Sequence, residues 1–80
     1  MSKRYETEEA IWWAKERIDM LIETYQTLVD ATTVDIADAK KKDNEYSEGI
    51  YRGQRMTYRL AMRDLDSLRR DIEAIEKAMA

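Results

Sequence analysis

Apolar residues recur in both halves of this chain at alternating steps of three and four, and this spacing constrains the fold more than any other feature. The first row consists of Ile11, Ala14, Ile18, Leu21, Tyr25 and Leu28. The second row consists of Tyr58, Ala61, Leu65, Leu68, Ile72, Ile75 and Met79. Such spacing aligns side chains along one stripe of an α-helix. Ile22, Val29 and Ile36 widen the first stripe, so the pattern predicts two long helices that pack through apolar stripes.

The residues between and before the two rows predict where the helices end. No proline interrupts either row, and Asp43 and Asn44 supply turn chemistry after three lysines that suit a helix C-terminus. Thr7 is the expected N-cap of the first helix, followed by Glu8 and Glu9. We predict one all-α domain over 1–80, with helices at about 4–42 and 46–79 and a turn at about 42–45. The short turn favours an antiparallel hairpin, and we expect it to oligomerise into a helical bundle.

Folding the chain at the turn also predicts a register and one weak point. Tyr25 falls opposite Ala61, and Leu28 falls opposite Tyr58, so that large side chains meet smaller ones. Three β-branched residues in a row, 32–34, are poor helix formers. The helix either continues through them with a softened turn, or breaks near Ala31 and restarts with a threonine cap. The continuous helix is the favoured interpretation.

Both glycines lie on a ridge of small residues in the second half. Gly49, Gly53, Thr57 and Ala61 recur every four residues, which on a helix lets another helix approach closely. Because glycine costs about 1 kcal/mol against alanine inside a helix, close packing is the favoured explanation. The alternatives are that Gly53 leaves room for a ligand against the backbone, or that Gly49 marks the start of the helix with Ser47 as its cap.

Arginines form a stripe on the same half of the chain. Helical geometry places Arg52, Arg55, Arg59, Arg63 and Arg70 on one side, pointing away from the apolar stripe. Glu48 and Asp66 share this face, and a solvated surface with pairs such as Arg59–Arg63–Asp66 is the simplest interpretation. Arginine also binds phosphate or carboxylate through a planar fork and stacks on aromatic rings. The candidate binding residues are therefore Tyr51, Arg52, Arg55, Tyr58, Arg59 and Arg63.

Large apolar side chains off the main stripes predict a contact surface. Trp12, Trp13 and Met20 lie off the stripe of the first helix, and Met56 and Leu60 lie off that of the second. Exposed aromatic residues usually mark a contact. We assign these five residues to an oligomer interface, with an anchor for a different protein and a base-stacking platform as the alternatives.

Composition limits the classes of function. The chain has no histidine and no cysteine, which removes the usual general base, the usual metal ligands and any disulfide framework. We therefore expect no enzyme activity, no metal and no cofactor. No stretch is apolar enough to span a membrane, and the expected location is the cytoplasm. Residues 1–40 carry five basic and nine acidic residues, and residues 41–80 carry nine and eight, so anion binding has to be local.

The segment "YSEGIYRGQRMTYRLAMRDLDSL" resembles the second helix of small phage and prophage proteins. In these proteins a tyrosine, a glycine a few residues later and an aromatic residue followed by alanine open a long C-terminal helix. The corresponding positions are Tyr46 or Tyr51, Gly53, Tyr58 and Ala61. Such proteins include inhibitors of bacterial immunity, namely anti-CRISPR proteins and oligomeric sponges for cyclic nucleotide signals. The resemblance implies a small helical inhibitor and carries no individual binding residue over to this chain.

Three functions follow as hypotheses from these patterns. The first is a phage-type binding protein in the host cell that neutralises a defence factor, by sequestering a nucleotide signal or by blocking an acidic or nucleic-acid-binding surface. The second is a structural module whose helices mediate oligomerisation. The third is a small nucleic-acid-binding regulator, whose affinity should fall steeply with salt.

Overall fold

Two long α-helices form an antiparallel hairpin, as the apolar spacing predicts. The structure, a computed structural model, describes residues 3–80. Helix α1 is Lys3–Lys41 and helix α2 is Glu45–Met79, and each of these bounds lies within one residue of the expected one. The two helices pack against each other along their length. The all-α hairpin is therefore confirmed.

The first helix begins earlier than its expected cap. Thr7 lies inside α1, and its hydroxyl donates a hydrogen bond of 2.8 Å to the carbonyl oxygen of Lys3. No residue between 3 and 7 is a helix breaker, so the chain has no reason to start its helix at the threonine. The N-cap prediction at Thr7 is wrong, and Glu6 is the acidic residue in the first turn of α1.

The turn closes α1 and opens α2 with adjacent residues. Asp43 has a φ of 52°, and the amides of Asp43 and Asn44 donate to the carbonyls of Lys40 and Ala39. This is the Schellman arrangement, which satisfies carbonyls at a helix C-terminus. The Asn44 side chain then accepts from the amide of Ser47 at 3.1 Å and caps α2. The turn chemistry of Asp43 and Asn44 is confirmed, and the alternative start at Gly49 with a Ser47 cap is wrong.

The β-branched stretch does not interrupt α1. The hydroxyls of Thr32 and Thr33 donate to the carbonyls of Leu28 and Val29 at 2.6 and 2.8 Å. Each threonine thereby satisfies its polar group on its own helix, and Thr32 is buried between the helices. The continuous helix is confirmed because tertiary packing overrides the weak local propensity.

The line of contact between the helices, here called the seam, is turned by about one residue from the predicted stripes. Its buried or half-buried members in α1 are Ile18, Ile22, Tyr25, Val29, Thr32, Ile36 and Ala39. Its members in α2 are Tyr51, Arg55, Tyr58, Met62, Leu65, Arg69 and Ile72. Four predicted stripe residues instead remain exposed beside the seam: Leu21, Leu28, Leu68 and Ile75. Because α1 carries two adjacent apolar rows, spacing alone does not choose between them.

The register agrees with the prediction to a few residues, but its detail differs. The ring of Tyr25 lies 6.0 Å from that of Tyr58, centroid to centroid. Counted from the Asp19–Arg69 pair, Tyr25 is level with Arg63 and Leu28 is level with Leu60, each two residues from the predicted partner. The rotation of the seam brings both tyrosines to the centre of the contact, where tilted aromatic pairs are favourable.

The hairpin is a thin rod. Its Cα atoms span 61 × 18 × 12 Å, with a radius of gyration of 18.2 Å, against about 12 Å for a compact domain of this length. Its buried core consists of Ile18, Val29, Thr32, Ile36 and Ala39, all of them in α1, and no residue of α2 is fully buried. Most side chains therefore face outward, and function has to be sought on the surfaces of the rod.

Candidate binding surfaces

The seam separates two edges of the hairpin with different chemistry. On one side, here called the polar edge, α1 presents Lys15, Asp19, Gln26 and Thr33, and α2 presents Arg52, Arg59, Asp66 and Glu73. The opposite side, here called the leucine face, holds the apolar residues beside the seam: Ala14, Leu21, Leu28, Ala61, Leu68 and Ile75. In an antiparallel pair the corresponding flanks of the two helices meet, so each edge is continuous across both helices.

Ion pairs that bridge the helices define the polar edge. The guanidinium of Arg69 donates two hydrogen bonds to the Asp19 carboxylate, at 2.6 and 3.0 Å, and also donates to Glu73. The ammonium of Lys15 donates to Glu76 at 2.8 Å. These pairs fix the register of the two helices near their open end. The sequence analysis missed them, although Arg69 lies at seam spacing between Leu65 and Ile72 and so signalled a polar contact in the seam.

The ion pairs shift the pKa values of their members in the directions that favour the charged forms. The hydrogen bonds from Arg69 lower the pKa of Asp19 below its ordinary value, and the carboxylate in turn raises the pKa of Arg69. At the other end, Asp38 raises the pKa of Lys42 through an ion pair of 3.0 Å. A general acid or base needs a pKa moved toward neutrality. These groups are stabilised in their charged states and serve as structural contacts.

The structure divides the six predicted binding residues into two groups. Tyr51, Arg55 and Tyr58 are half-buried in the seam, and the Arg55 guanidinium donates to the Thr33 hydroxyl at 3.3 Å. The prediction that Arg55 points away from the contact between the helices is therefore wrong. Arg52, Arg59 and Arg63 are exposed. Half of the predicted set thus supports the hairpin, and the other half faces solvent.

Two of the outward arginines carry unneutralised charge. Arg52 lies 3.7 Å from Glu48, and Arg70 lies 2.8 Å from Asp66. The predicted pairing of Asp66 with Arg59 and Arg63 is wrong, because Arg70 takes this carboxylate. Within residues 3–80, neither Arg59 nor Arg63 has an ion-pair partner. Four residues apart on one helix, they lie side by side and can both reach one anionic group.

The tryptophans form an exposed aromatic end near the open end of the hairpin. Trp12 is 50% and Trp13 is 60% exposed, and their rings meet edge to face with centroids 4.7 Å apart. A surface hollow of ≈ 500 Å³ adjoins Trp13 and is lined also by Met20, Leu21 and Arg17. Two large indoles beside an apolar hollow are typical of anchors that insert into a partner.

The five residues predicted as one interface do not form one surface. Met20, Met56 and Leu60 are exposed like the tryptophans. Met56 and Leu60 lie on α2 toward the turn. Counted from the Asp19–Arg69 pair, they are about 12 to 30 Å along the axis from the levels of Trp12, Trp13 and Met20, at about 1.5 Å per residue. Trp12 lies on the polar edge, and Met56 lies next to the exposed arginines. The aromatic end and the methionine–leucine pair are therefore separate patches.

The small-residue ridge is not packed within the hairpin. A Cβ atom added at Gly49 or at Gly53 would meet no atom within 4 Å, and both glycines are exposed. The prediction of close helix packing at this ridge is wrong for the contact between α1 and α2. The rotation of the seam explains why the ridge is unpacked, because Gly53 and Thr57 fall on the outer side of α2.

The described residues contain neither a metal-binding group of side chains nor a membrane span. Among residues 3–80, no three carboxylates come together in a group that could hold a metal ion. Neither helix, over the described part of the chain, is long and apolar enough to cross a membrane.

Comparison with known proteins adds no relative. No family model, curated protein sequence or solved structure matches this chain. The surfaces themselves define the class: a rod-like α-helical hairpin with an aromatic end, a pair of unneutralised arginines and a leucine face.

Proposed function

We propose that this chain is a non-enzymatic binding protein that docks its aromatic end on another protein. The observation that carries the proposal is the exposure of two adjacent tryptophans, of which Trp13 lines an apolar hollow. Buried tryptophans are among the strongest anchors in protein interfaces, whereas two exposed ones are a liability for a free monomer. The resemblance of residues 46–68 to phage and prophage proteins supports a host defence factor as the partner.

A plating assay tests this function. Phage plating efficiency is measured on a panel of strains that each carry one defence system and express the chain. We expect the chain to restore plating on at least one strain, and the double variant W12A/W13A to lose this effect. Val34→Ala is the matched control, because Val34 is an exposed apolar residue of α1 remote from the aromatic end.

The same variants give a quantitative outcome once the defence protein is known. Loss of both tryptophans should weaken the binding of the chain to this defence protein by about 30-fold or more, since truncation of an anchor residue costs about 2 kcal/mol. Rescue on no strain, or rescue that survives the loss of both tryptophans, would contradict the proposal.

Arg59 and Arg63 support a second candidate, the capture of an anionic ligand such as a nucleotide signal or an RNA backbone. Their guanidinium groups are exposed and have no ion-pair partner within residues 3–80. Two adjacent guanidinium forks match a phosphate diester in charge and geometry. Binding at this place does not need the tryptophans, so the two candidates are separable.

Native mass spectrometry with cyclic dinucleotides and with a single-stranded RNA tests the second candidate. We expect a bound ligand that the R59E/R63E variant loses and the R59K/R63K variant keeps in part. Lys77→Glu controls for a charge reversal elsewhere on the same helix. Affinity for RNA should also fall steeply with salt. Binding that survives charge reversal at both arginines, or no binding at low salt, would exclude this candidate.

A further inference from the structure

We propose that two copies of this chain associate through the leucine face and form a four-helix bundle. A two-fold axis parallel to the helices places α1 of each copy against α2 of the other. Every helix then has antiparallel neighbours on both sides, as in up-down-up-down bundles. This inference does not rest on the proposed function. The leucine face shares Leu21 and Arg17 with the hollow beside Trp13, but it includes neither tryptophan and neither member of the arginine pair.

The leucine face is a continuous apolar strip made of three layers. Counting along both helices from the Asp19–Arg69 pair places Leu21 level with Leu68, Leu28 with Ala61 and Ala14 with Ile75, each within about one residue. The layers follow one another every seven residues, about 10 Å apart. Leu21 and Leu28 are 39% and 37% exposed, and Leu68 and Ile75 are 48% and 57% exposed.

The surface area of the hairpin exceeds that of a compact protein by more than the area that one side of a stable interface buries. The chain exposes 6439 Å², whereas a compact monomer of 9.5 kDa exposes about 5,000 Å². The excess is about 1,400 Å² per chain, and a stable interface buries about 800 Å² on each partner. Covering the leucine face would therefore remove about half of this excess.

The order of side chains along the leucine face favours a second copy of the chain as the partner that packs on it. With α1 of one copy lying on α2 of the other, Ala14 meets Ile75, Leu21 meets Leu68 and Leu28 meets Ala61. Each small residue is matched by a large one, and the two leucines meet in the middle layer. Such alternation lets facing side chains interdigitate at the density of a protein core.

Two charges at the rim of the leucine face fit the same arrangement. Arg17 and Asp71 lie next to the apolar layers, level with each other to about one residue when counted from the Asp19–Arg69 pair. Neither has an ion-pair partner within residues 3–80. In the proposed dimer, Arg17 of each copy faces Asp71 of the other. The symmetry forms this pair twice, which favours a second copy over an unrelated protein.

Cysteine cross-linking tests the arrangement directly, because the chain has no cysteine of its own. We expect a mixture of the R17C and D71C variants to form a mixed disulfide dimer under mild oxidation. The matched control is a mixture of E23C and D66C, which lie level with each other on the other side of the hairpin and should not cross-link. A mixed disulfide in the control alone would overturn the proposal.

Sedimentation of the full chain gives the second measurement. We expect a dimer of twice 9.5 kDa, and a tenfold or greater increase in its dissociation constant for L68E. The exposed control Val34→Glu should leave the dissociation constant unchanged.

Charge reversals keep the test informative if L68E fails to fold. R17D and D71R should each weaken the dimer, and the double variant R17D/D71R should restore it. A monomer at millimolar concentration, a mixed complex with a different protein in place of the dimer, or single reversals without effect would each overturn the proposal.

Discussion

At the scale of single residues, the turn depends on one residue in an unusual conformation. Asp43 has a positive φ, and its amide and that of Asn44 close the end of α1. A residue with a Cβ atom is sterically strained in the left-handed region, whereas glycine is not. The sequence Asp43–Asn44 thus predicted the turn correctly, although aspartate is less suited than glycine to the positive φ at position 43.

Replacing Asp43 should therefore change stability in a direction set by the backbone. Asp43→Gly should stabilise the hairpin by about 0.5 kcal/mol, because it removes the steric cost at a positive φ. Asp43→Ala should destabilise it, because alanine tolerates this region less well than aspartate. Urea unfolding followed by circular dichroism measures both. A loss of stability in the glycine variant would mean that the Asp43 side chain holds the turn.

Gly53 provides a second test at the residue scale. A Cβ at this position meets open space, so Gly53→Ala should raise the free energy of unfolding by about 1 kcal/mol through helix propensity alone. Ala37→Gly, the reverse change at an exposed position of α1, should lower it by a similar amount. Destabilisation by Gly53→Ala would instead show that another helix packs closely against α2 there.

At the scale of the helices, the bidentate contact of Arg69 with Asp19 orders α2 on α1. Arg69 lies in the seam and Asp19 lies on the polar edge beside it, so the pair selects one register among those that the apolar spacing allows. A one-turn slip would keep apolar contacts but would leave Asp19 without its partner and Arg69 with Glu73 alone. Exposed ion pairs add little stability by themselves, and the value of this one lies in the choice of register.

The pH dependence of this contact follows from the pKa of Asp19, which lies below its ordinary value of 3.8 because of Arg69. Because the pKa of Asp19 is lower in the folded chain than in the unfolded chain, the contact stabilises the fold fully at pH values above the pKa of the unfolded chain. The contribution is lost as pH falls through the lower, folded value. The urea midpoint of Asp19→Asn should therefore lie below that of the original chain at pH 7, and the difference should shrink below about pH 4.

Asp30→Asn is the control for this pH experiment. Asp30 accepts a hydrogen bond from the Gln26 amide at 2.9 Å and has no ion-pair partner within residues 3–80. Asparagine can accept the same bond, so the effect of Asp30→Asn should not change between the two pH values. A difference between the original chain and Asp19→Asn that stays constant with pH would show that the carboxylate charge is irrelevant to the contact.

At the scale of the whole molecule, the rod is too thin to bury the apolar rows that its sequence carries. Leu21, Leu28, Leu68 and Ile75 remain exposed beside a seam that is already occupied. A two-helix contact covers only one narrow stripe of each helix, whereas a wide stripe is typical of helices with two or more neighbours. The second row of apolar residues therefore has its physical explanation outside the single chain.

Thermal stability should accordingly depend on protein concentration. If folding is linked to dimerisation, a tenfold rise in concentration stabilises the folded dimer by about 1.4 kcal/mol and raises the melting temperature by about 4 °C. Circular dichroism melts over a hundredfold concentration range measure this. A melting temperature that does not move with concentration would show that the hairpin is stable as a monomer.

The candidate binding residues show how far helical periodicity predicts a surface. It identified the exposure of the tryptophans and of Arg52, Arg59 and Arg63, because these residues lie far from either apolar row. It misplaced Arg55, which lies close to the edge of the predicted stripe. A rotation of one residue was enough to move this guanidinium into the seam, where Thr33 accepts its hydrogen bond.

The sequence by itself determined two helices and the turn at Asp43 and Asn44, although it misplaced the cap of α1 at Thr7. These features depend on local propensity and on the absence of helix breakers. Only the tertiary structure decided which apolar row faces the other helix. Both rows satisfy the same alternation of three and four, so the choice depends on contacts between residues far apart in the chain. The pairing of Arg69 with Asp19 and of Tyr25 with Tyr58 made that choice, and it left the leucine face exposed.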